Sequence, residues 1–176
     1  QVRPPGRDAL AQARRVLAYK TVQYSVVKPL VIGATMAGAG EATLDTLTRY
    51  GTPLGEAFQL RDDLLGVFGN PELTGKPAVD DLREGKRTVL LALTRTGCGD
   101  TEWQQLAALL GRPDLDDDQI ARMRAIITGS GAVAAVETMI SSLEGRALAA
   151  LAEDTISVRS RDLLQGLAGS AVRRTA

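Results

Sequence analysis

The chain has no histidine among its 176 residues. That absence removes a Ser-His-Asp triad, a histidine general base and the usual histidine-bearing zinc site. Its single cysteine, Cys98, leaves no disulfide framework and no four-thiolate zinc cluster, so a reducing cytoplasm is the expected setting. Set between Gly97 and Gly99, that thiol reads as an inert group in a turn. Aromatic residues are scarce, with one Trp, three Tyr and two Phe, so a core has to be built mostly from Ala, Leu, Val and Ile. Neither sign of charge dominates: 21 basic and 21 acidic residues cancel. No basic block stands out, and the electrostatic footprint of nucleic-acid binding is missing. Long hydrophobic runs are absent too. The most apolar run, Pro29 to Gly40, is too short and glycine-rich to span a bilayer, and nothing resembles a signal peptide.

What remains is helical periodicity in one domain over 1–176. Asp8 to Tyr19 reads as a helix capped by Asp8, followed by a kink at Lys20 and Thr21 and a segment from Val22 to Ala39 bent by Pro29. Glu41 to Phe68 is one long periodic stretch, apolar on one side and interrupted by Gly51 and Pro53. Shorter helices are expected over Thr88–Arg95, Thr101–Leu110, Asp117–Thr128, Ala132–Glu153 and Val158–Arg173, separated by glycine, proline or polar turns. Asp116, Asp117 and Asp118 read as an N-cap and first-turn partners of the helix dipole rather than a metal site. Trp103, Met123 and Met139 read as core. No alternating strand pattern and no internal repeat is found.

The chemistry concentrates between Phe58 and Thr88. Asp62 and Asp63 stand among Leu54, Ala57, Phe58, Leu60, Leu64, Leu65, Val67 and Phe68. At least one carboxylate should therefore lean toward low-dielectric surroundings, where an unpaired charge is unfavourable by several kcal/mol, roughly. Arg61 is a poor partner for Asp62, because successive helical residues diverge by about 100°. A hard divalent cation, held by carboxylate oxygens and completed by water and substrate phosphate, fits better. Gln59 lies one turn before the acids on the same helical face. A solvated face with two ordinary surface acids is the plain alternative, and the apolar flanks weigh against it. Downstream, Gly69, Asn70, Pro71, Gly75, Pro77 and Gly85 break regular structure, so Lys76 and Lys86 are expected on an ordered loop, as point charges for phosphate oxygens. Asp80 and Asp81 in the same loop are expected to pair with Arg83 or Lys86.

Phe58, Gln59, Asp62 and Asp63, then Gly75, Lys76 and Pro77, then Asp81, Leu82, Gly85, Lys86 and Thr88 together resemble the second aspartate-rich region of trans-prenyl (isoprenyl) diphosphate synthases. Lys20 and Thr21, followed by Pro29, Leu30 and Gly33, resemble the Lys-Thr kink of a helix lining the site in that family. The resemblance implies an all-α, antiparallel helical bundle of the isoprenoid synthase type, lacking here its N-terminal helices. It implies Asp62 as the main carboxylate ligand of magnesium, with manganese an alternative, and Asp63 as a supporting acid. Lys20, Lys76 and Lys86 would hold diphosphate oxygens, Phe58 would contact substrate, and Thr21 and Gln59 would lie near the developing allylic cation. The implied reaction is head-to-tail condensation of an allylic diphosphate with isopentenyl diphosphate by a cytoplasmic homodimer. Arg173 and Arg174 resemble a basic tail that in some members nears the substrate entrance, although a helix C-terminus favours arginine anyway.

Three departures stand out. Gly66 occupies the place of the motif's last aspartate, four residues after Asp62, and Val79 occupies a place where glycine is common. The third is larger. Only 61 residues precede Asp62, and none of their acids, Asp8, Glu41, Asp45 and Glu56, forms the first aspartate-rich cluster that the reaction needs. The chain is accordingly expected to be the second half of a synthase, incomplete for catalysis alone. The alternatives are a non-catalytic truncated homologue or small regulatory subunit, and a class I terpene cyclase, whose Asn/Asp, Ser/Thr, Glu metal motif is not seen.

Overall fold

The computed structural model describes residues 18–70, 79–153 and 155–174. Regular structure among these residues is all helical. A π-helical segment, Ala18–Val27, leads into α1 (Lys28–Met36) and α2 (Glu41–Phe68). Then come α3 (Asp80–Arg83), α4 (Val89–Gly97), α5 (Asp100–Leu109), α6 (Asp117–Gly129), α7 (Ala132–Ala150) and α8 (Val158–Val172). Two compact units divide the chain, one built on Asp62–Glu137 and the other on residues 18–61 with Thr138–Arg174.

In the second unit, Lys20 and Thr21, where a kink was expected, fall within the π-helical segment, whose turn is wider than that of an α-helix. Pro29 falls in the first turn of α1, which follows the π-helical segment directly, with Val27 at the junction in helical backbone at φ −64° and ψ −52°. Glycines govern how closely α2 is approached. A Cβ on Gly55 would stand 2.9 Å from Val22 Cα, and one on Gly51 would stand 3.1 Å from Leu30 Cδ1. Tyr50 is fully buried, and its hydroxyl donates to the Leu164 carbonyl at 2.7 Å. Thr46, also buried, shares a 2.7 Å hydrogen bond with the Thr155 hydroxyl. Met139 is half-exposed rather than core.

In the first unit, Leu64, Val67, Val79, Leu82, Leu90, Trp103, Leu106, Met123 and Ile127 are buried. The caps are local. Asp116 accepts from the Gln119 N–H at 2.8 Å while Gln119 accepts from the Asp116 N–H at 3.2 Å, which closes the start of α6 as the acidic run suggested. Thr88 caps α4 by accepting from the Leu91 N–H, and Glu102 accepts from the Gly99 N–H at the start of α5. Cys98 ends α4, half-buried, with burial pushing its thiol pKa upward.

Candidate functional site

The C-terminal end of α2 carries the acidic pair. Asp63 is the more enclosed, at 6% exposure, while Asp62 is half-buried. Gln59 lies one turn earlier on the same helix and is half-buried. Arg124 of α6 finishes this end of α2, with Nε donating to the Val67 carbonyl at 2.8 Å and the guanidinium lying 6.0 Å from the Phe68 ring centroid. An arginine on the last carbonyls both satisfies an acceptor and suits the negative end of the helix dipole.

α3 is short, and its geometry fixes Lys86. Val79, at its N-cap, adopts the left-handed conformation with φ of 66°, a region that favours glycine. A β-branched residue in that region is strained by roughly 1–2 kcal/mol, which the full burial of its side chain offsets. After α3, Gly85 is left-handed too, at φ 64°, and a Cβ on it would sit 3.1 Å from Gly111 Cα. The Gly111 N–H donates to the Leu82 carbonyl at 2.9 Å, and the Lys86 N–H to the Asp81 carbonyl at 3.0 Å. These bonds hold Lys86 back over the helix it follows.

The Lys86 ammonium donates to Asp81 Oδ1 at 2.5 Å and lies 3.1 Å from Glu84 Oε2. Half of the lysine side chain is exposed, whereas Asp81 is 9% exposed. The hydrogen bond to Asp81 raises the lysine pKa well above its usual value and keeps it charged. Pairing of Asp81 with Lys86 was expected from the sequence. Its burial was not, and only the apolar neighbours Val79 and Leu82 hint at it.

Phe58 is half-buried, and the Arg174 guanidinium lies over its ring, 4.3 Å from the centroid. Arg173 pairs with Glu144 at 3.2 Å. Arg61 Nε donates to the Val172 carbonyl at 2.7 Å, finishing α8 as Arg124 finishes α2. Lys20 and Thr21 fall within the π-helical segment, and their side chains, like Gly75, Lys76 and Pro77, lie outside the described residues. Among the described residues, no group of three acids, histidines or cysteines forms a metal cage. Magnesium does not need one, since it is commonly held by one or two carboxylates together with waters and substrate phosphates. Asp62 and Asp63 offer two carboxylates of that kind.

Residues 6–156 match the polyprenyl synthetase family. The chain belongs to that family. Among relatives of this polyprenyl synthetase homologue, the geranylfarnesyl diphosphate synthase of Aeropyrum pernix is 37% identical over 144 residues, covering 81% of this chain and 44% of that protein. The geranylgeranyl diphosphate synthase of Mycobacterium tuberculosis is 37% identical over 136 residues, 76% of this chain and 37% of the relative. A crystal structure of geranylgeranyl pyrophosphate synthase from Corynebacterium glutamicum, complexed with isoprenyl diphosphate and magnesium, superposes with a TM-score of 0.90 at 41% identity. That match covers 94% of this chain and 47% of the other. The fold is thus the all-α isoprenoid synthase fold, and the chain spans less than half the length of each of these proteins. No single helix among the described residues is long and apolar enough to cross a membrane.

Proposed function

We propose that this chain supplies the second aspartate-rich half of a prenyltransferase site that condenses an allylic diphosphate with isopentenyl diphosphate and releases pyrophosphate. The observation that carries this reading is a family member in which an acidic pair, one carboxylate buried, ends α2 while Lys86 is clamped beside α3. Asp62 holds magnesium, or manganese in its place, and Asp63 supports it. The cation, when bound, neutralises the diphosphate and eases its departure. Lys20, Lys76 and Lys86 hold diphosphate oxygens, so negative charge building on the leaving group meets fixed positive charge. Phe58 contacts the prenyl chain. Thr21 and Gln59 offer a hydroxyl and an amide oxygen to the developing allylic cation; either stabilises positive charge without capturing it, as a free carboxylate could.

The first aspartate-rich cluster is not found upstream of Asp62, so the facing carboxylates have to come from outside these 176 residues. The reading places the working enzyme in the cytoplasm as a homodimer. Its test is product formation by the intact protein from allylic and isopentenyl diphosphates with magnesium. Chelation with EDTA, or Asp62→Ala, should lower pyrophosphate release at least about a hundredfold, on the scale of removing a key charge stabiliser. Near-wild-type turnover in Asp62→Ala would sink the assignment. The 176-residue chain by itself should form no prenyl product, and detection of product would overturn the half-site reading.

A further inference from the structure

Lys86 is shared by two carboxylates of opposite character. Asp81 Oδ1 accepts from its ammonium at 2.5 Å, and Glu84 Oε2 lies 3.1 Å away. Asp81 is buried and confined. The Lys86 N–H donates to its carbonyl at 3.0 Å, and its carboxylate lies against α2, where a Cβ built on Gly66 would stand 2.5 Å from Asp81 Cγ. Glu84, by contrast, stands at the C-cap of α3 with its side chain 60% exposed. The three groups carry one positive and two negative charges, so the cluster is net negative before any anion arrives. A diphosphate brings more negative charge to the same nitrogen. Phosphate oxygens and the Glu84 carboxylate would take neighbouring N–H groups of one ammonium and repel each other at close range.

We propose that Glu84 is a displaceable internal ligand of Lys86: it occupies the ammonium while the site is free and swings into solvent when phosphate oxygens arrive, whereas Asp81 stays on the lysine throughout. Exposure decides which acid yields. A solvent-exposed ion pair adds little stability, and a released glutamate regains side-chain freedom. Asp81, being enclosed, would be left as a buried charge without its partner, which is far costlier. The same exchange runs in reverse as pyrophosphate leaves. Glu84 is then at hand to take the ammonium back, so it lowers affinity for the released product. Glu84 thus sets how tightly diphosphate is held, while Asp81 is a positioning residue that fixes where the ammonium lies. The inference rests on the reading of Lys86 as a holder of diphosphate oxygens.

The test is calorimetric titration of the intact protein with inorganic pyrophosphate in the presence of magnesium, each variant being checked by thermal melting. Glu84→Gln keeps the side-chain length and removes the charge, so it should tighten binding about two- to fivefold at low salt. That gain should shrink at about 1 M salt, where charges are screened over about 3 Å. Asp81→Asn should weaken binding instead, and so should Gly66→Ala, which crowds Asp81, because Lys86 loses its fixed partner. The deciding variant combines Glu84→Gln with Lys86→Ala. With no ammonium to compete for, Glu84→Gln should leave the affinity of Lys86→Ala unchanged. Unchanged or weakened affinity in Glu84→Gln alone would overturn the proposal, and so would equal tightening with and without Lys86, the mark of a general charge effect. Lys86→Ala separates the two levels. If it fails to weaken pyrophosphate binding, the reading of Lys86 itself fails; if it weakens binding and Glu84→Gln changes nothing, only the role of Glu84 falls.

Discussion

Gly55 and Gly66 lie on one helix, and each is a place where another group comes too close for a side chain, yet the groups differ in kind. Gly55 faces backbone, with Val22 Cα 2.9 Å from where its Cβ would be; Gly66 faces the carboxylate of Asp81. Backbone cannot swing aside, whereas a carboxylate can rotate about its own bonds. The first glycine is a packing device. The second lies against a charged group, which is costly to enclose unless it is paired, and Asp81 is paired with Lys86. A missing side chain is therefore best understood by what fills its place, and on α2 one place is filled by backbone and the other by a carboxylate.

Substitutions can sharpen or break that contrast. The largest expected effect on folding is Gly55→Ala, where overpacking against an immovable neighbour should cost about 1–3 kcal/mol in denaturant unfolding while leaving magnesium–pyrophosphate affinity unchanged. A loss of affinity comparable to that of Gly66→Ala would erase the distinction. Next is Gly85→Ala, which places a side chain at φ 64° and 3.1 Å from Gly111 Cα. It should cost about 1–2 kcal/mol and also weaken pyrophosphate binding, because Lys86 follows directly. Unfolding curves together with calorimetry would show whether both change.

Tyr50→Phe should be milder. Losing the hydrogen bond to the Leu164 carbonyl should cost about 1 kcal/mol at neutral pH. Burial pushes the Tyr50 hydroxyl up to about 12, so ionisation favours the unfolded chain first. Its contribution is whole below about pH 10 and is lost as the pH rises toward 12. The phenylalanine variant should therefore show a shallower fall in stability across that range, and identical alkaline profiles would refute the attribution. Arg49→Ala should have the smallest effect. Its contacts with Asp45 and Glu153 are exposed, and pairs of that sort add little and are screened by salt. A melting shift beyond a few degrees would show that this surface network matters more than its exposure suggests.

Much of the scaffold was legible because it is governed by local rules. Glu41–Phe68 was read from apolar periodicity at its observed bounds, and Gly51 and Pro53 did not break it once packing supported the helix. Asp116 announced a helix start through its own side chain. Pro29 marks where the π-helical segment gives way to α1, a change of helix type that apolar periodicity does not reveal. At four residues, α3 is too short for periodicity to reveal. Half-exposed Met139 shows the limit of residue type as a guide to burial. For the proposed site, Asp62, Asp63 and Lys86 were named from spacing and from the family resemblance, and the pairing of Asp81 with Lys86 could be anticipated. What could not be read was which group lies against Gly66. The atom that answers it belongs to a residue fifteen positions away, brought near by a turn that valine would not ordinarily adopt.

That turn makes the site conditional on the core. Val79 holds a backbone shape natural to glycine, and only the enclosure of its side chain offsets the strain. Anything that loosens the apolar packing around it removes the counterweight and lets the backbone relax toward an extended course, carrying Asp81 and Lys86 out of register. Core mutations well away from any phosphate should therefore appear first as weakened ligand binding, before the protein measurably unfolds.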